Sequence, residues 1–384
     1  MNEYLKQFLV LFVAVIFIGG LATIGQPTDI AVKPPVLPDN SWQMFRYNPS
    51  HTSAVFLDLP YRTSGKLRWK FPATGQIDSS PAIYKGVVYV GCDDKNVYAL
   101  EERTGRMLWR SNLGGAVKSS PCIAGNTVYV GCEDGKLYAL DARSGKILWS
   151  FATTDRLSSS PVVFEGMVCL GGWDGNVYAV DAQNGVLRWK FEAQGRVTAS
   201  PAIADGTVYI ASHGGFVYAL SATDGKLIWE YKAGNKIYSS PMVMDGMVYF
   251  GSWDKNFYAV TAENGQTRWK FAGTDTFSIS PAGGHGRVFV GNDDRQLYCL
   301  DALTGKMYWK TQLQSPVPLL ASSPALAGPM LYIGSADGNL YGIEARTGYV
   351  KWKYKTQRAI VSSPAAGLTG ICVGSQDGNL YLVN

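Results

Sequence analysis

The stretch SSPCIAGNTVYVGCEDGKLYALDARSGKILW, Ser119 to Trp149, decides how this chain folds. Ser-Ser-Pro-Cys-Ile reads as a short strand. Thr127-Val-Tyr-Val alternates β-branched and aromatic residues, the period-two pattern of a second strand. Glu133-Asp134-Gly135-Lys136 predicts a hairpin turn, of type I′ because Asp-Gly tolerates positive φ. Leu137-Tyr-Ala-Leu gives a third strand. Ser144-Gly145 makes the next turn, and Ile147-Leu-Trp-Ser gives the fourth. No part of the stretch has a helical period.

The same unit returns along the chain. Tryptophan recurs at Trp69, Trp109, Trp149, Trp189, Trp229, Trp269, Trp309 and Trp352, each four residues after a glycine. A proline after serine recurs at Pro81, Pro121, Pro161, Pro201, Pro241, Pro281, Pro324 and Pro364. A tyrosine recurs at Tyr98, Tyr138, Tyr178, Tyr218, Tyr258, Tyr298, Tyr341 and Tyr381. The period is about 40 residues, and four antiparallel strands per period is the pattern of a propeller blade. The expected fold is all-β, an eight-bladed β-propeller of four-stranded antiparallel blades spanning residues 41–384. A solenoid would need helices or one strand per coil. The first repeat unit, Lys66-Leu-Arg-Trp-Lys-Phe71, is only a fourth strand, and the last, Leu380-Tyr-Leu-Val383, is only a third. The N-terminal strand is therefore expected to complete the last blade, leaving no open seam.

Outside the repeats, Phe8 to Gly25 run without a charge. This length lies between a signal-peptide core and a spanning helix. Residues 1–25 are read as a signal peptide or an N-terminal membrane anchor, and both stay open. Pro27, Pro34, Pro35 and Pro38 mark residues 26–40 as an extended linker. The expected location is extracytoplasmic, in the periplasm or at the cell surface, with membrane contact only through that first segment. No cysteine follows the segment to accept a lipid. The six cysteines form no C-x-x-C and read as small buried apolar residues. A formal charge of +5 on 384 residues, with no dense basic cluster, argues against nucleic acid. A ring that closes on itself is expected to be a monomer.

The motif Tyr-Ala-Leu-Asp-Ala-x-Ser/Thr-Gly-x-x-x-Trp, nearly complete at Tyr138–Trp149 and Tyr298–Trp309, resembles the tryptophan-docking repeat of the pyrroloquinoline-quinone (PQQ) family of propellers. Ser221 and Thr261 depart from its acid. The lead-in WQMFRYNPSHT from Trp42 also resembles the segment preceding bacterial members. The resemblance implies that the eight repeat tryptophans lock each blade to its neighbour. It extends to the propellers of outer-membrane assembly, which are lipoproteins. Trp173-Asp174 and Trp253-Asp254 lie in turns rather than at strand ends, which discounts a WD40 propeller.

PQQ-dependent dehydrogenases share the expected fold, but fold alone does not confer their reaction. Members with that activity show a vicinal cysteine pair, and this chain has none. His51, His213 and His285 do not pair at metal spacing, and no nucleophile elbow or phosphate loop occurs. The recurring acids, Asp94, Asp134, Asp174, Asp254, Asp294, Asp337 and Asp377, read as turn residues rather than metal ligands. No catalytic residue, no metal and no cofactor is expected. The alternative is a PQQ-dependent quinoprotein dehydrogenase or quinone-binding sensor.

One departure from repetition suggests a site. In the loop between strands two and three, blades 3, 4 and 5 carry Trp173, His213 and Trp253. Five residues before the Ser-Pro proline, the same blades carry Arg156, Arg196 and Lys236. Both sets fall on one face. Stacking surfaces beside positive charge suit an acidic peptide, an anionic glycan or an aromatic carboxylate. The expected function is a binding or scaffold protein holding a protein or envelope-polymer partner on that face. In the quinone alternative, Trp173 or Trp253 would stack on the ligand and the three bases would meet its carboxylates.

Overall fold

The computed structural model describes residues 42–55, 63–314 and 322–384. The expectations for residues 1–25 and 26–40 lie outside them. The chain divides into two units, Met1–Pro38 and Asp39–Asn384, and the repeats all belong to the second.

Among the described residues there are eight sheets and no helix. Blade 2 is typical, with strands Cys122–Ala124, Thr127–Gly131, Lys136–Asp141 and Ile147–Ala152 paired in sequence order, all antiparallel. Its second and third strands are buried on both faces almost throughout, because neighbouring blades cover them. Blade 8 combines Ala365–Ala366, Ile371–Gly374 and Asn379–Val383 with Leu67–Pro72. Trp69 pairs with Leu382 and Lys70 with Tyr381, so the first strand of the repeats closes the last blade. The eight innermost strands contact one another in a closed cycle, the eighth returning to the first.

Two devices hold this ring. The first is at the axis. The N–H groups of Ser80, Ser120, Ser160, Ser200, Ser240, Ser280 and Ser323 each donate to the hydroxyl of the corresponding serine one blade on, at 2.9–3.1 Å. Ser363 donates back to Ser80 at 2.9 Å and completes the circle. Buried backbone donors need partners, and the Ser-Ser-Pro repeat supplies one for each blade. The second device is peripheral. Trp109 Nε1 donates to the Ala142 carbonyl of the next blade at 3.0 Å. Its ring lies against Gly145, where an added Cβ would come within 2.5 Å of it. Trp69, Trp149, Trp189, Trp229, Trp269 and Trp309 repeat both contacts on Gly105, Gly185, Gly225, Gly265, Gly305 and Gly348. Trp352 lies on Gly65 and donates to Thr63 Oγ1. A β-bulge just before each tryptophan breaks the alternation of the outermost strand and leaves two exposed residues in a row ahead of it.

One turn differs from its sequence reading. Between strands two and three of blade 2, only Gly135 has positive φ, at 81°, and Asp134 does not. Gly135 N–H donates to the Cys132 carbonyl. This is a type I turn followed by one left-handed residue rather than a type I′ turn. The difference is physical: Asp134 is needed in a right-handed conformation to accept hydrogen bonds from the Lys136 N–H and, at 2.6 Å, the Tyr138 hydroxyl.

The lead-in segment has a structural role that its sequence did not disclose. The backbone of residues 42–55 runs around the inside of the ring. Carbonyls of Trp42, Gln43, Pro49, Ser50, Thr52 and Ser53 accept from Ile83, Ile123, Ile203, Val243, Gly283 and Leu326, each the middle residue of an innermost strand. Ala54–Val55 then pairs in parallel with Ala325–Ala327 as a fifth strand of blade 7. Six innermost edges that would otherwise leave a donor bare are thus capped.

Candidate functional site

The face carrying the turns between strands two and three also carries the segments that lead into the innermost strands. The two are stitched by backbone bonds within each blade: Trp173 N–H to the Arg156 carbonyl, His213 to Arg196, and Trp253 to Lys236. The six residues singled out from the sequence therefore sit in three adjacent pairs beside the axis.

Their side chains join across blades. The guanidiniums of Arg156 and Arg196 both lie over the Trp173 ring, 4.1 and 4.7 Å from its centroid. Trp173 Nε1 donates to Ser158 Oγ at 2.7 Å. His213 is held by Thr198 Oγ1 at 2.7 Å and packs on Tyr238, with centroids 4.2 Å apart. Tyr238 packs in turn on Trp253 at 4.7 Å. Trp253 is 37% exposed and donates to Ser278 Oγ, which donates to Asp293. Blades 3 to 6 thus carry an arc of rings and cations. Arg156, Arg196 and Lys236 are exposed, and none of the ion pairs among the described residues uses them.

The opposite side of the mouth is neutralised. Lys118 Nζ bridges Asp78 at 3.1 Å and Asp93 at 2.8 Å, and Gln376 donates to Asp78. The positive field is therefore confined to one side. His213 responds to that field: burial first, then the charges of Lys236 and Arg196, lower its pKa to about 4. Asp293 moves the other way. Burial raises its pKa against the hydrogen bonds of Ser278 and Thr276, and its Oδ1 has no partner among the described residues.

Tyr238 was missed in the sequence. The signal was a third series, three residues before each Ser-Pro proline: Asp78, Lys118, Ser158, Thr198, Tyr238 and Ser278. These are the residues that bond to the turn positions Asp93, Trp173, His213, Trp253 and Asp293, so the series mattered as much as the two that drew attention.

The recurring acids are occupied within their blades. Asp94, Asp134, Asp174, Asp254, Asp337 and Asp377 each accept the hydroxyl of the repeat tyrosine four residues on, at 2.6–2.8 Å. Blade 4 has Gly214 at this position, and there Tyr218 accepts from the Gln194 N–H instead. All six cysteines are buried with free thiols. Burial pushes those of Cys92, Cys122, Cys132 and Cys299 up to about 12, far from thiolate chemistry. Among the described residues no three His, Cys, Asp or Glu side chains converge as a metal site.

Fold and repeat define an eight-bladed propeller of the PQQ-repeat class. Four overlapping matches, over residues 61–172, 93–199, 173–280 and 273–384, place the chain in the family described as outer membrane protein assembly factor BamB. The solved structure of BamB from Moraxella catarrhalis is similar at TM-score 0.73 and 18% identity, covering 83% of this chain and 99% of that one. Quinohemoprotein alcohol dehydrogenase from Comamonas testosteroni is similar at 0.76 and 16%, covering 89% and 80%. The computationally designed protein Ika8 is similar at 0.73 and 18%, covering 81% and 97%. No curated protein matches the chain.

Proposed function

We propose that this protein is a non-catalytic, extracytoplasmic docking propeller of the cell envelope. Its mouth arc of Arg156, Trp173, Arg196, His213, Tyr238, Lys236 and Trp253 receives an acidic segment of a partner protein or an anionic envelope polymer. The observation that carries this reading is three exposed bases with no acidic partner among the described residues, set among rings on one side of the mouth only. Rigid blades hold the loops that present them, so little ordering entropy opposes binding. The BamB family, named for outer membrane protein assembly, supports a protein partner and a periplasmic location.

The quinoprotein neighbours motivate a second reading, in which the mouth holds PQQ. The residues fit it poorly. Trp173, a candidate stacking surface, already has Arg156 and Arg196 over its ring, and the donor set offers no vicinal thiols and, among the described residues, no cluster of acids for a metal. Titrating the purified protein with PQQ and calcium separates the readings: a bound chromophore with dye reduction selects the enzyme.

For the docking role, the expected outcome of replacing Arg156, Arg196 and Lys236 together with Ser is loss of capture of partners from native membranes. The melting temperature should stay within a few degrees, since exposed substitutions away from structural contacts change stability by about 0.5 kcal/mol or less each. Undiminished capture by the triple variant overturns the assignment.

A further inference from the structure

The segment inside the ring holds a charge with nothing to meet it. Arg46 is 2% exposed, and its Nε, Nη1 and Nη2 make no hydrogen bond among the described residues. No described acid pairs with it. The nearby groups offer no negative charge. The Phe45 ring centroid is 6.0 Å from its Cζ. His51, buried and bonded to the Pro241 carbonyl, has its pKa driven down to about 3 by burial and by the Arg46 charge, so it is neutral at physiological pH.

The backbone fixes the guanidinium in this place. Arg46 and Tyr47 are both left-handed, at φ 63° and 77°, and the Arg46 carbonyl accepts from the Asn48 and Ser53 N–H groups. Such conformations persist in side-chain-bearing residues only when the surroundings impose them. Burial lowers the guanidinium pKa to about 9, which still leaves it charged at neutral pH. An unpaired buried cation is among the most unfavourable arrangements a fold can hold, and it is stable when an opposite charge is supplied.

The geometry points to a buried anion site inside the ring, in which Arg46 donates to a compact monovalent anion, a halide or a small carboxylate. The planar fork of donors suits either. Burial to 2% exposure leaves no route for a macromolecular carboxylate while residues 42–55 stay paired to the innermost strands. The site shares no residue with the mouth arc.

Crystals of the full chain grown with bromide in place of chloride decide the matter. An anomalous peak within hydrogen-bonding reach of the Arg46 guanidinium supports the site, and water alone at that position overturns it. In solution at constant ionic strength, the melting temperature should rise with the logarithm of chloride or formate concentration relative to gluconate, as binding linkage requires. The larger shift identifies which anion class the site prefers. Arg46→Gln and Arg46→Met should flatten that dependence, and a dependence unchanged in either variant also overturns the site. Partner capture in Arg46→Gln should stay at the wild-type level, so failure here is distinguishable from failure of the docking proposal.

Discussion

Gly145 shows how much one atom decides in this repeat. Its φ of +72° belongs to the region that favours glycine, and a Cβ there would lie 2.5 Å from the Trp109 ring of the preceding blade. Gly145→Ala should destabilise by on the order of 3 kcal/mol, from strain and overpacking together. Gly125 has a similar φ of +62° but nothing within 4 Å of the added atom. Gly125→Ala should therefore cost only the left-handed strain, about 1 kcal/mol, and denaturant midpoints of the two variants measure the difference. His213 provides a second residue-scale test. Its folded pKa, about 4, lies below the usual value of an unfolded histidine, so its contribution to stability is lost as pH falls from about 6.5 toward 4. By NMR, its midpoint should rise when Arg196 is replaced by Ser, and rise again when an acidic ligand neutralises Lys236.

Within a blade, the tyrosine–aspartate bond ties the third strand to the turn before it. Burial opposes ionisation of Asp94, Asp174, Asp254 and Asp377, yet hydrogen bonds from Tyr98, Tyr178, Tyr258 and Tyr381, with their neighbours, lower all four pKa values, that of Asp94 to about 2. Groups whose folded pKa is depressed stabilise above the unfolded value, about 3.9, and that stability is lost as pH falls through the folded value. Melting temperature should hold down to about pH 4 and then fall steeply toward pH 2. Replacing Asp94, Asp174, Asp254 and Asp377 by Asn should flatten that fall. These acids also show what the sequence could disclose. Strands, blades and ring closure were legible because each repeats with a fixed period, and Trp69 opposite Leu382 is where the pattern puts it. The turn type was misread because Asp-Gly alone does not reveal that Asp134 must also accept Tyr138. The mouth was half legible: its bases and turn aromatics stand out against the repeat, but Tyr238 shows only once blades are laid side by side. The lead-in segment has no period, and its partners are six strands far along the chain, so no pattern within it signals where it lies.

At the scale of the molecule, stability depends on an unbroken circle. Each blade covers the next, and the serine ring at the axis returns from Ser363 to Ser80. Removing Asn379–Asn384 would strip the partner from Leu67–Pro72 on one side and from Ile371–Gly374 on the other. Such a truncated chain should lose its cooperative melting transition and elute from size-exclusion chromatography as aggregate, because two unpaired strand edges invite pairing between molecules.

The stitched blade also sets an order of events. Ser64 donates to the carbonyl of Asn384, 320 positions away, and bringing together such distant points makes closure a late, entropically costly step. The strand synthesised first must wait for the strand synthesised last. A ribosome that stops a few codons early therefore yields no slightly smaller ring; it yields an open one. The architecture inspects its own completeness, and only a finished polypeptide passes.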